Sequence, residues 1–335
     1  MKRRFRGLRR APDPSYDAVV IGSGVGGLIA ANLLVRAGLK VLLVEQHYMA
    51  GGYCSTFWRG GYTFDAATHF YPLLGNPATR PGRLLAELGV ETGWVKIDPV
   101  DVFHLPDGTR FAVDLDFDLY LARLKGEFPH QVAALDGFFA EVRECYLLGL
   151  LCYFRGREEE RLGRFRELTV RQALNRWFDD RRLKLLLTAD CPHWGSPPSR
   201  TSFVFDSMLR LSYFLGNYYP RGGSQAFVDD LALAFERRGG HLLMSTAARR
   251  IVVEGGAARG VELETLRGAV RFAGVVCAGA VVFNADLVQT LETLVGREHL
   301  ALDLLLALFW LRFTFPCWLT HLGLVGVSVA ELAEA

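Results

Sequence analysis

Residues 16–27 read Tyr16-Asp17-Ala18-Val19-Val20-Ile21-Gly22-Ser23-Gly24-Val25-Gly26-Gly27. Past Asp17, the run Ala18 to Ile21 is short, apolar and partly β-branched, which predicts a fully buried strand. Glycines at 22, 24 and 27 fit the spacing G-x-G-x-x-G. Leu28 to Ala37 predicts a helix, and Gly38 stands where that helix should stop. Val41 to Val44 predicts a second buried strand. Glu45 closes it, 18 residues past Gly27.

Each position has a physical reason. Gly22 permits a tight turn out of the strand, Gly24 lets a pyrophosphate approach the backbone, and Gly27 lets the helix pack closely on the strand. The helix N-terminus offers free N–H groups and a partial positive charge to phosphates. Glu45 is placed to accept hydrogen bonds from a ribose. A lone glycine motif is weak, but this one follows a strand, opens a helix and has its acid at the end of the next strand.

The motif alone does not choose between NAD and FAD. The next residues, Glu45-Gln46-His47-Tyr48-Met49-Ala50-Gly51-Gly52, place a second glycine pair six residues beyond the acid. Such a pair lets a second loop run beside a dinucleotide. Tyr53-Cys54-Ser55-Thr56-Phe57, Gly61-Tyr62-Thr63-Phe64-Asp65 and Thr68-His69-Phe70-Tyr71 follow.

This run resembles the FAD-binding start of the phytoene desaturase, carotenoid isomerase and retinol saturase family. Its Glu-Gln-His and Thr-His-Phe pieces lean toward the retinol saturase side. Tyr218-Tyr219-Pro220-Arg221-Gly222-Gly223-Ser224-Gln225 and Val281-Val282-Phe283-Asn284-Ala285-Asp286 carry the resemblance further. It covers roughly residues 15 to 325. It implies FAD as cofactor, held by Gly22, Ser23, Gly24, Gly27, Glu45, Gln46, Gly51 and Gly52, with a strand near Ala248 at the adenine end. It places the segment around His69 toward the flavin and a substrate tunnel, so His69 and Tyr71 are the candidate catalytic residues. A structural histidine bonded to backbone is the competing account of His69. Tyr53 stands where many amine oxidase relatives have a pyrophosphate-binding arginine.

The chain has 335 residues, 50% hydrophobic and 22% charged, enough for a sizeable core. A net charge of +2 implies no polyanion-binding surface overall, hence no nucleic-acid partner. Residues 1–14 differ, because Met1 to Arg10 is dense in basic residues. No apolar stretch follows, which excludes a signal peptide and suits a cytoplasmic location. Attachment to anionic lipid is one reading of this arm. A solvated, disordered lead-in is the other, and is favoured. Six cysteines show neither C-x-x-C nor zinc spacing, so no metal site is expected and free thiols are.

Farther along, Val100 to His104 and Arg110 to Val113 predict a hairpin about Pro106-Asp107-Gly108. Phe117 to Phe128 and Gln131 to Tyr153 predict helices, the second amphipathic. Residues 155–184 interleave arginine with glutamate, which reads as a solvated face. Cys191 to Ser199 reads as a rigid loop, and Phe203 to Leu215 as a very apolar helix, either core or the wall of a lipophilic pocket. Ala226 to Arg238 predicts a helix. Leu242 to Met244, Ala248 to Glu254, Gly260 to Leu263, Val275-Val276 and Ala280 to Phe283 predict strands. The nearly uncharged stretch from Leu300 to Val329, broken by Asp303, Arg312 and Pro316, reads as a helix plus a buried strand rather than a membrane span.

The expected fold is α/β: a Rossmann-type, glutathione reductase-like FAD domain at 15–78 and 218–297, with an α+β substrate domain at 79–217 and 298–335. The family's chains run further, so the resemblance implies an incomplete substrate domain. The function implied is an FAD-dependent oxidoreductase acting on a lipophilic polyene, by desaturation, saturation or isomerisation, with peripheral membrane contact left open. The alternatives are an amine oxidase-like flavoenzyme and a non-catalytic, truncated remnant.

Overall fold

The computed structural model describes residues 4–311 apart from 106, 158, 269 and 270. The glycine motif folds as its spacing predicts. Strand β1 (Ser15–Ile21) leads into helix α1 (Val25–Arg36), which returns the chain to strand β2 (Val41–Val44). All four β2 residues are buried. A hairpin, β3 (Thr56–Arg59) and β4 (Tyr62–Asp65), follows, then the two-residue strand β5 (Tyr71–Pro72) and helix α2 (Arg80–Glu87).

Next come β6 (Trp94–Lys96), the predicted hairpin β7 (Asp101–His104) and β8 (Arg110–Val113), and the predicted helices α3 (Phe117–Glu127) and α4 (Val132–Arg155). Asp116 caps α3 by accepting from Asp118 and Leu119 N–H. Short helices α5 (Gly163–Arg166), α6 (Val170–Trp177) and α7 (Arg181–Leu186) lead to α8 (Phe203–Phe214). The chain returns through β9 (Asn217–Pro220), α9 (Ser224–Arg237), β10 (His241–Leu243), β11 (Thr246–Glu254), β12 (Ala257–Thr265) and β13 (Ala273–Phe283).

The main sheet has the order β10-β2-β1-β13-β12-β11. Its first four strands are parallel, and β12 and β11 add antiparallel at one edge. The two pieces expected at 275–276 and 280–283 are one strand, paired with β1 from Ser15↔Cys277 to Ile21↔Phe283. Alternation along β1 splits the packing. Ala18 and Val20 face a cluster with Leu28, Phe227, Leu231 and Phe235, while Val19 and Ile21 face one with Ile251, Val261 and Val276. Both faces of β1 are therefore dry, as a continuous apolar run requires. Leu85 joins the first cluster and Trp94 packs on it, so this core draws on the chain beyond residue 78.

A separate core lies in the inserted region, built from Phe111, Leu124, Phe138, Phe139, Val142, Phe165, Phe178 and Phe203. Helix α8 closes it, but not as an apolar rod. Its deepest residues include Asp206 at 0% and Arg210 at 5% exposure, while Phe205 is exposed. Arg210 Nε and Nη2 donate to Asp206 at 3.1 and 3.0 Å, and Nη2 also donates to the Leu187 carbonyl at 2.7 Å. A buried charge persists only when paired and hydrogen-bonded in this way.

The amino-terminal arm differs from the solvated lead-in favoured above. Phe5 is 3% exposed and joins the core beside Ala50, Tyr71 and Phe227. Arg4 pairs with Asp230, the Arg6 N–H donates to Glu236 at 2.9 Å, and Leu8 N–H donates to the Leu242 carbonyl at 2.7 Å. One aromatic anchor and three acids of α9 thus hold an arm that composition reads as disordered.

Helix Leu302–Trp310 forms as expected, with Leu302, Phe309 and Trp310 largely exposed. The strand expected across 313–329, and Cys317, lie outside the described residues. No helix among the described residues is long and apolar enough to cross a membrane.

Candidate dinucleotide site

A cavity of about 750 Å³ opens beyond the carboxyl ends of β1, β2 and β13. Strand order reverses direction between β1 and β13, and in open α/β sheets ligands bind at that switch point. The volume lies in the roughly 300–1,000 Å³ range of small-molecule sites.

Gly22, with φ +95°, turns the chain out of β1. A side chain there would strike the Asn284 carbonyl, since a Cβ would sit 2.5 Å from its oxygen. Gly24 is the N-cap of helix α1 and offers no side-chain cap, which suits the helix N-terminus to a ligand. The second glycine loop meets the first directly. Gly51 N–H donates to the Ser23 carbonyl at 2.9 Å, and Gly24 and Gly51 form a parallel bridge.

Glu45, 9% exposed, ties the loops together. Its Oε2 accepts from Ser23 N–H at 2.9 Å and Ser23 Oγ at 2.7 Å, and its Oε1 accepts from His47 N–H at 2.7 Å. A carboxylate has about four acceptor sites, so room for a ligand hydroxyl remains. The Glu45 backbone pairs with Leu243 and Thr246 on neighbouring strands, which fixes the side chain at the cavity edge.

Of the sequence-predicted cofactor residues, Gly22, Gly24, Glu45, Gln46, Gly51, Gly52 and Ala248 line the cavity together. Ser23 is buried behind Glu45, and Gly27 is buried where a Cβ would strike the Gly22 carbonyl, so both support the wall rather than form it. Sequence reading had not assigned Gly26, Thr246, Asn284, Ala285, Asp286 or Thr290, which also line it. Asn284 to Asp286 follow β13 directly, and their signal was the strand end itself. Thr290 Oγ1 is buried at the wall without a hydrogen-bond partner. Among the described residues, Glu45 and Asp286 are the charged side chains lining the cavity, so from these a pyrophosphate would draw on α1 and backbone N–H groups. These features fit a dinucleotide: glycine loops where any added side chain would fill the wall, a helix N-terminus without a side-chain cap, and an acid at the cavity edge.

The candidate catalytic residues do not line this cavity. His69 is exposed, with Nδ1 3.3 Å from the Ala67 carbonyl and its ring edge-on to His193 at 5.3 Å. Tyr71 is buried between Trp94 and Phe227, and its hydroxyl has no hydrogen-bond partner. Burial pushes the phenol pKa well up, with Cys54 adding to the shift. Cys54 itself lines the cavity and is a free, buried thiol.

Behind the glycine loops, Asp65 accepts from Thr56 Oγ1 at 2.6 Å and Ser224 Oγ at 2.7 Å, and from the Tyr219 hydroxyl. Two distant motifs, Gly-Tyr-Thr-Phe-Asp and Gly-Gly-Ser-Gln, are therefore one hydrogen-bonded unit. Asp190, Cys191 and Asp206 are close enough to share a metal ion. Arg210 already lies 3.0 Å from Asp206 and 3.9 Å from Asp190, so this is an ion-pair cluster.

Comparison with known proteins agrees with this geometry. The family model for flavin containing amine oxidoreductases matches residues 25–282. The all-trans-retinol 13,14-reductase of Danio rerio is 28% identical over 312 residues, covering 86% of this chain and 50% of that protein. The phytoene desaturase of Cercospora nicotianae is 29% identical, covering 83% of this chain and 46% of that one. The chain thus spans about half the length of the curated relatives it matches. An oxidoreductase structure from Methanosarcina mazei superposes with a TM-score of 0.60 at 19% identity, over 87% of this chain and 64% of that one, which shows a shared fold. With the strand-turn-helix motif, its acid and the matched span in register, the chain belongs to the flavin containing amine oxidoreductase family.

Proposed function

We propose that this chain is an FAD-dependent oxidoreductase acting on a long apolar polyene of the retinoid or carotenoid type. The observation that carries the reading is the joined pair of glycine loops around Glu45 at the switch point, in a chain whose relatives include a retinol reductase and a phytoene desaturase. Gly22, Gly24, Gly51 and Gly52 let the pyrophosphate approach, the α1 N-terminus faces its charge, Glu45 accepts from the ribose, and Ala248 lies toward the adenine. FAD supplies the hydride chemistry when bound. A polyene offers no acidic proton, so the protein's part is orientation and exclusion of water, with His69 and Tyr71 as the candidate polar groups although they lie outside the cavity lining. Residues 15–78 and 218–297 form the FAD domain in this reading, and 79–217 with 298–335 belong to the substrate domain. A substrate of this kind partitions into bilayers, so peripheral membrane contact accompanies it.

The test is spectroscopic. The purified protein, incubated with FAD and desalted, is expected to show flavin absorbance, and anaerobic addition of a retinoid or carotenoid to change it. No flavin bands after reconstitution would sink the cofactor assignment. Bleaching by a primary amine and by no polyene would favour amine oxidation instead.

A further inference from the structure

The inserted region carries a cationic groove away from the dinucleotide cavity. It has about 440 Å³ of open space between α6, α7 and the loop at 197–199. Arg171, Arg181 and Lys184 line it over an apolar floor of Leu174 and Pro198, and Leu185 lines it as well. The Arg171 N–H donates to the Pro198 carbonyl at 2.9 Å, which fastens the loop to the start of α6.

The sequence of this region alternates in sign, yet the fold separates the signs. Arg176 pairs with Glu141 at 2.7 Å, Arg182 pairs with Glu127 at 2.8 Å, and Arg161 and Arg164 share Glu144. Asp180 is taken up by the Leu183 N–H and by His130. Among the described residues no carboxylate lines the groove, and neither Arg171 nor Arg181 has an acidic partner. Lys184 Nζ rests on Asn175 Oδ1 at 3.1 Å, which leaves it further donors. Leu185, beside these cations, is 50% exposed.

We propose that this groove docks the protein on an anionic phospholipid surface, with Arg171, Arg181 and Lys184 on the phosphates and Leu185 against the acyl boundary. The inference deepens the membrane contact of the polyene reading and rests on it for its purpose. Unpaired cations call for an anion, and the guanidinium fork matches phosphate oxygens. The apolar floor and half-exposed leucine gain nothing from free phosphate, but they gain from an amphiphile. The basic arm at the amino terminus is the rival anchor by composition. Its Arg4 and Phe5 are engaged in the fold.

The experiment uses the full chain incubated with FAD and desalted, and sedimentation with vesicles of phosphatidylcholine, alone or mixed with phosphatidylglycerol. Wild type is expected to bind only the mixed vesicles, and less at high salt. R171Q/R181Q/K184Q is expected to lower the partition roughly 100-fold, at about fivefold per charge. Leu185→Ser should lower it several-fold with no charge removed, and R6Q/R9Q should leave it near wild type. Equal binding by the triple variant, or loss confined to R6Q/R9Q, overturns the proposal. So does full displacement by inorganic phosphate or a soluble acidic peptide with Leu185→Ser indifferent, since that marks a general anion site. Flavin absorbance measured on each variant keeps the two readings apart: a chain that takes up no flavin but partitions as expected would sink the cofactor reading and leave the groove standing.

Discussion

Gly51 donates its backbone N–H to the carbonyl of Ser23 at 2.9 Å, and through that bond the two glycine loops form one wall. Gly51 has φ +118°, and a Cβ on it would sit 3.0 Å from Val228 Cγ2. Gly51→Ala therefore meets both backbone strain and crowding from α9, each costing about 1–3 kcal/mol. The expected outcome is a lower Tm together with weaker FAD binding, read by thermal unfolding and by flavin fluorescence titration.

Glu45→Ala leaves the buried Ser23 N–H and the His47 N–H without their acceptor. An unsatisfied buried donor costs about 1–3 kcal/mol, and the ribose loses its partner as well. FAD affinity should fall by roughly 10- to 100-fold in a calorimetric titration. Glu45→Gln keeps one acceptor oxygen and should fall between the two. Unchanged affinity in both variants would remove Glu45 from the site.

Phe5→Ala tests whether the arm is structural. Truncating a buried phenylalanine typically costs about 3–5 kcal/mol, and some relief is expected here because the arm can lift away. Urea unfolding should show about 2–4 kcal/mol lost, with little dependence on salt. An Arg9→Gln control, on an exposed residue of the arm, should stay near wild type.

Asp190 sits beside the Arg210–Asp206 pair, and burial pushes its pKa up to about 6, against the lowering effect of Arg210. A carboxyl whose folded pKa exceeds its unfolded value of 3.8 binds more protons when folded. Its contribution to stability is full below 3.8, declines as pH rises toward about 6, and is flat above. Asp190→Asn should abolish that decline, seen as the difference between the two proteins' unfolding free energies across this pH window. Parallel curves would assign the proton elsewhere.

The strand, turn, helix and second strand from Ala18 to Glu45 were legible because they are contiguous. Buried strands read as apolar runs, a tight turn demands glycine, and the acid follows at fixed distance along the chain. The second glycine pair was legible for the same reason. Local pattern could not place β13 against β1, which brings Asn284 to Gly22, nor seat Asp65 under Ser224 from 159 residues away. Both follow from sheet order and helix packing, where the partner is chosen by the whole core. Helix α8 shows the same limit from inside: Asp206 and Arg210 interrupt an apolar pattern and would be expected at its surface, but mutual pairing lets them lie deepest. Phe5 is the converse case, one aromatic in a basic arm, whose burial depends on a pocket that α9 and the Ala50 loop create only after folding. Charge order along 155–184 predicted a solvated face, and only the packing of α4 against these helices decided which cations found acids and which were left facing a groove.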